Sequence, residues 1–234
     1  WFFRDFFSAN NEFRIKSNSP RNFLLAKKYI EFPKINLPHV LMDLSKDLLI
    51  AVFILEFFGK SEFGLYDHSY KMLKLPLIFI GVAIGQVLFQ RCSEMFNKGD
   101  NIIPLIKKSI KTLALISIVP FSIIFIYGEE IFEFVFGYQW AESGTFSSIM
   151  APWFLMNFIG SSISSLPLVI RKQKEFFKLA IIGSVIMLLT MCVPPYFFGA
   201  SIKVTLWIVT IGQTFYVVLF IFKIFDHIKN INVK

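Results

Sequence analysis

The chain alternates long apolar runs with short polar and basic connections. A hydrocarbon core about 30 Å thick takes roughly 20 predominantly apolar residues to cross as a helix. Six runs approach that length: Pro38 to Phe58, Leu73 to Gln90, Ser109 to Tyr127, Thr145 to Ile170, Phe176 to Phe198 and Val204 to Phe225. Strand-length segments of alternating apolar and polar residues, which a membrane barrel needs, are absent from the sequence. Helices satisfy their own backbone groups in lipid. The pattern therefore predicts an all-α polytopic membrane protein, with six transmembrane helices forming one bundle over residues 36–234.

Residues 1–35 read as a cytoplasmic linker and interfacial helix, an aromatic run broken by Arg4 and Asp5 followed by NNEFRIKSNSPRNFLLAKKYIEFPK. No signal peptide precedes them, and the opening on Trp1 reads as a fragment whose N-terminus lies upstream. Several spans contain Pro or Gly: Pro76, Gly81 and Gly85 in the second, Pro120 in the third, Pro152, Gly160 and Pro167 in the fourth, Pro194 and Pro195 in the fifth. These fit kinks and close helix packing, and equally the discontinuous helices of transporters.

Composition narrows the class. Of the residues 55% are apolar, 18% aromatic and 17% charged, and the mean hydropathy is +0.62. That excludes an ordinary soluble domain and a disordered chain. The net charge of +8 raises nucleic acid or an anionic surface as a partner, and its distribution decides. Nineteen Lys and Arg fall on the side that holds the N-terminal segment, against four on the other (Lys60, Lys71, Lys74 and Lys203), with Lys46 inside a span. Cytoplasmic loops retain positive charge, so both ends of the fragment are expected in the cytoplasm, and no nucleic acid is needed to explain the basicity.

Polar groups inside spans are the candidate chemistry. Asp43, Lys46 and Asp47 share one helical face with Ile50 and Ile54, and Lys46 can pair with either carboxylate. Charges at that depth usually face a bundle interior or water, although a helix entering the membrane near Leu48 would leave the triad as a solvated start. Gln86 and Gln90 stand one turn apart with Arg91 at the cytoplasmic mouth, suited to a polar substrate or to bonding a neighbouring helix. Trp153, Asn157, Ser161 and Ser164 form a stripe that fits either a hydrophilic wall, with Trp153 stacking on a sugar ring, or ordinary packing. Cys92 and Cys192 lie outside any disulfide or zinc spacing, and His39, His68 and His227 sit singly. No nucleophile elbow, P-loop or HExxH occurs. The reading is a non-enzyme with no metal and no cofactor.

The runs GLYDHSYKMLKLPLIFIGVAIGQVLFQRCSEMFNKG, IFEFVFGYQWAESG and APWFLMNFIGSSISSLPLVIRKQKEF resemble the second half of the polysaccharide biosynthesis proteins. These are the O-antigen or lipopolysaccharide repeat-unit flippases of the multidrug/oligosaccharidyl-lipid/polysaccharide exporter superfamily. The resemblance covers about Phe32 to Phe225. It implies a multi-pass protein of the bacterial cytoplasmic membrane with twelve or more spans in two six-helix bundles, this being the C-terminal one. It further implies that an undecaprenyl-pyrophosphate-linked repeat unit crosses by alternating access, for surface polysaccharide such as O-antigen, capsule or exopolysaccharide. The implied partners are the lipid-linked oligosaccharide, the missing N-terminal six-helix half and membrane lipids. In that setting Lys46 and Arg91 are expected to attract pyrophosphate, with Asp43 or Asp47 setting the local charge and offering a proton-coupling group. A small-molecule or drug exporter of the same superfamily and a membrane-embedded polysaccharide polymerase are the alternatives.

Overall fold

A computed structural model describes residues 31–232, with side chains over 37–229. Among the described residues the regular elements are helices and no strand occurs. In chain order they are α1 (Glu31–Phe57), α2 (Gly59–Pro76), a π-helical turn (Leu77–Gly81), α3 (Val82–Lys98), α4 (Ile103–Phe136), a 3-10 turn (Tyr138–Trp140), α5 (Ala141–Ile163), the short α6 (Leu166–Val169), α7 (Gln173–Phe198) and α8 (Ile202–Asn232). The chain divides into two compact units, Trp1–Leu41 and Met42–Lys234. Of the first, residues 31–41 are described and helical, while the linker and interfacial helix expected over 1–35 fall largely outside the described residues.

Among the described residues, five helical stretches are long and apolar enough to cross a membrane: Gly59–Lys98, Ile103–Phe136, Tyr138–Val169, Gln173–Phe198 and Ile202–Lys229. The first of the six expected spans falls on α1, which is helical but is not one of the five. Asp43, Lys46, Asp47 and Glu56 interrupt its apolar stretch. Two connections expected as loops are also helical. Residues 59–72 belong to α2, and α4 runs on to Phe136, only a 3-10 turn before α5. Lys and Glu stop a hydropathy run without stopping a helix, because both are good helix formers.

Within Met42–Lys234, α5 is the central helix and packs against α2, α3, α4 and α8. Its buried positions run from Ser143 to Ile163 and include Phe146, Met150, Phe154 and Phe158 together with Gly144, Ala151 and Gly160. Two buried clusters follow. One joins Ile50 and Ile54 of α1, Leu73 of α2, Phe121 of α4, Met150 of α5, Met191 of α7 and Leu206 of α8. The other joins Leu88 and Cys92 of α3, Ile106 of α4, Leu166 of α6, Phe176 of α7 and Ile224 of α8.

The Pro and Gly positions have distinct local roles. Pro76 lacks an amide hydrogen and crowds the preceding turn, and the π turn that follows it, Leu77–Gly81, joins α2 to α3 as one rod. A side chain on Gly81 would stand 2.3 Å from Ser161 Oγ, so this turn lies hard against α5. In α4 the non-helical residue is Tyr127, a turn and more beyond Pro120. The α7 terminus at Pro194 and Pro195 closes on Gly199 in the left-handed conformation, with the Gly199 and Ala200 amides donating to the Pro195 and Pro194 carbonyls.

Candidate functional site

The spacing of Asp43, Lys46 and Asp47 makes them neighbours on α1, and Lys46 Nζ lies 3.1 Å from Asp43 Oδ1 and 3.8 Å from Asp47 Oδ1. The face they share continues through Ile50 and Ile54, both buried in the first core cluster. Lys46 is the most covered of the three side chains, 21% exposed against 44% and 46% for the carboxylates. An ammonium held between two carboxylates keeps its charge compensated, and the triad carries a net −1.

On α2, Tyr66 lies in the buried cluster that holds Ile50 and Ile54 and Tyr70 packs against that cluster; the Asp47 charge acts on the Tyr66 and Tyr70 hydroxyls, and that of Asp43 on Tyr70 and on Tyr216 of α8. Tyr70 stacks with Tyr66 at 5.8 Å between ring centroids, meets Trp153 at 6.2 Å, and carries Lys74 Nζ 5.1 Å from its own centroid. A line of aromatic rings therefore leads from α2 to the central helix. Trp153 is 7% exposed, and among the described residues its indole N–H has no hydrogen-bond partner. Carboxylates, an ammonium, phenol hydroxyls and ring faces together suit a ligand rich in hydroxyls that also bears an anionic group. Tyr66, Tyr70 and Lys74 on α2 and Tyr216 on α8 escape a sequence reading because they sit on other helices than the charged triad.

The remaining expected residues divide between two places. Gln86, Gln90 and Arg91 are exposed on α3. Gln90 Nε2 donates to Glu94 Oε1 at 3.3 Å, and Arg91 lines a groove formed by α3 and α4 alone. Along α5, Asn157 donates to the Trp153 carbonyl at 3.4 Å, Ser161 to that of Phe158 at 2.8 Å and Ser164 to that of Ser161 at 2.7 Å. These bonds return to the helix's own backbone, a common habit of Ser in apolar surroundings. The structure thus keeps Asp43, Lys46 and Asp47 together on α1, sets Trp153 beside Tyr70 of α2, and leaves Gln86, Gln90 and Arg91 exposed on α3.

A second polar cluster ties α2 to the start of α5. His68 Nδ1 lies 2.9 Å from Ser143 Oγ, and Ser69 Oγ lies 2.8 Å from Ser143 Oγ and 2.6 Å from the Ser143 carbonyl. The His68 ring packs on Trp140 at 4.1 Å and on Phe136 at 4.7 Å. Glu142 pairs with Lys203 of α8 at 2.9 Å, and Thr145 donates to Glu129 of α4 at 2.9 Å. Ser69 and Ser143 are fully buried, so this is a clamp between helices. His68, isolated in the sequence, is one of its members. Among the described residues no group of three or more His, Cys, Asp or Glu gathers as a metal site would require.

Compared with known proteins, residues 12–145 match the family model described as polysaccharide biosynthesis protein. No curated protein and no solved structure matches the chain.

Proposed function

This chain belongs to the polysaccharide biosynthesis protein family, and from that premise we propose that it is one lobe of a transporter that moves undecaprenyl-pyrophosphate-linked oligosaccharide repeat units across the bacterial cytoplasmic membrane, with no covalent chemistry of its own. In this reading α1 is a sixth span, the bundle is one of two in a protein of twelve or more spans, and its basic connections and both ends lie in the cytoplasm. The observation that carries the proposal is the Asp43–Lys46–Asp47 face, continuous with buried Ile50 and Ile54. A charge at membrane depth costs a few kcal/mol unless it faces a bundle interior or water, and such residues mark substrate and ion pathways.

Its chemistry follows from competition for Lys46. At rest the ammonium is shared by two carboxylates. An arriving pyrophosphate offers it a stronger anionic partner, and protonation of Asp43 or Asp47 loosens the hold that opposes the transfer. Tyr70 and Tyr216, both only partly buried, offer the sugar hydroxyls bonding partners in place of water. The groups so used reset when Lys46 returns to its carboxylates.

The test is made in the full-length protein, by depleting it and measuring lipid-linked oligosaccharide on each side of the membrane. Finished single repeat units accumulate on the cytoplasmic side if translocation is its task. Units that reach the outer side while polymer alone is missing would overturn the proposal in favour of a polymerase. Lys46→Ala is expected to reduce transport at unchanged protein level in the membrane, and normal transport by that variant would remove Lys46 from the mechanism.

A further inference from the structure

A second feature lies outside the charged face of α1. Between α3 and α4 runs a groove of about 330 Å³, walled by Ala83, Val87 and Leu88 on one side and Leu105 on the other, with Arg91 and Ser109 among its lining residues. Arg91 is exposed and, among the described residues, forms no hydrogen bond or ion pair. Its neighbourhood is basic. The stretch from Arg91 to Lys111 holds five cations against two carboxylates, and one of those carboxylates, Glu94, is already engaged by Gln90. Lys107, Lys108 and Lys111 are all exposed on the first turns of α4.

An apolar trough beside an uncommitted guanidinium has a definite complement. The trough loses free energy when water covers it and gains when a hydrocarbon chain fills it. The guanidinium binds a phosphate through a planar fork, with geometry as well as charge. Basic pockets between membrane helices take up anionic lipid headgroups on the same principle. We propose that this groove seats an anionic membrane phospholipid, one acyl chain lying against Ala83, Val87 and Leu105 and its phosphodiester held by Arg91 and Ser109. One guanidinium and one hydroxyl match the single charge of a phosphodiester. A zwitterionic headgroup neutralises its own phosphodiester, whereas an anionic one leaves that charge for Arg91 to compensate, so Arg91 sets the preference between them and the lysines of α4 add long-range attraction.

The full-length protein, purified in detergent and delipidated, is offered phosphatidylglycerol or phosphatidylcholine at equal concentration, and retained lipid is counted by native mass spectrometry. Phosphatidylglycerol is expected to be retained about tenfold more strongly, the ratio that loss of one charge-assisted bond would erase. Arg91→Gln abolishes that preference, Val87→Trp lowers retention of phosphatidylglycerol, and Lys178→Gln, at an exposed site on α7, changes nothing. Both test substitutions are at exposed positions, so folding is retained, and Ser109→Ala gives an independent weaker loss. Equal retention of the two lipids, or a preference that survives Arg91→Gln, would overturn the proposal. So would phosphatidylglycerol retention untouched by Val87→Trp, which would reduce the site to surface charge. No transport substrate is present in the measurement, so its failure leaves the translocation reading standing, and the failure of that reading leaves this one standing.

Discussion

Helices α4 and α5 are joined by one short turn and differ in an instructive way. The most apolar stretch of Ile103–Phe136 has a mean hydropathy of 2.1 and is 17% buried, whereas that of Tyr138–Val169 reaches only 1.3 and is 61% buried. The more hydrophobic helix is the less enclosed. In water the reverse would hold, because burial is what apolar surface gains from folding. In lipid the tails are as apolar as leucine, so hydrophobicity equips a helix to face outward, and association depends on close packing and hydrogen bonds. On α4 the exposed set includes Leu115, Ile116, Val119 and Ile126. On α5 small residues let backbones approach: a side chain on Gly144 would stand 2.2 Å from the Gly128 carbonyl oxygen of α4. Interhelical polar bonds add to this. Ser148 donates to Ile124 of α4 at 2.8 Å, and Thr210 of α8 donates to Ile149 of α5 at 3.1 Å.

The contrast can be broken at graded points by equilibrium unfolding of the protein in bilayer or micelle. Gly144→Leu is expected to be the most damaging change, costing about 3 kcal/mol or more, because the obstruction is backbone on both helices and cannot turn aside. Met150→Ala empties a fully buried position of α5 and should cost about 2–4 kcal/mol. Ser143→Ala removes the hydroxyl that Ser69, His68 and the Leu65 carbonyl share, with an expected loss of about 1–2 kcal/mol and a weaker hold of α2 on α5. Val119→Leu, on the outward face of α4, should stay within about 0.5 kcal/mol of the parent. If Val119→Leu destabilised as much as Met150→Ala, α4 would be covered in the native protein and the contrast with α5 would collapse.

The same contrast explains what the sequence could disclose. Hydropathy located the five stretches long and apolar enough to cross a membrane, most strongly the outward-facing ones and least strongly the enclosed Tyr138–Val169. It misplaced their limits wherever helix continues past the apolar run, as at Lys60, Glu62 and Asp67 of α2. Periodicity was enough to bring Asp43, Lys46 and Asp47 together, because all three belong to one helix and need no tertiary contact to meet. The tyrosines that feel their charge are separated from them in sequence by up to 173 residues, from Asp43 to Tyr216, and nothing local marks them. The stripe from Trp153 to Ser164 was less informative for a different reason. A helix buried nearly all round has no single privileged face, so a polar row on it does not point to a cavity.

The joined rod of α2 and α3 carries a mechanical consequence. Its 40 residues from Gly59 to Lys98 extend to about 60 Å at 1.5 Å per residue, twice the thickness of a hydrocarbon core of about 30 Å. Near its middle, Gly81 is pinned against Ser161 at the one turn that departs from α-helical winding. Held to α5 there and again where Ser69 meets Ser143, the rod has two fastenings on one neighbour and acts as a strut rather than a lever.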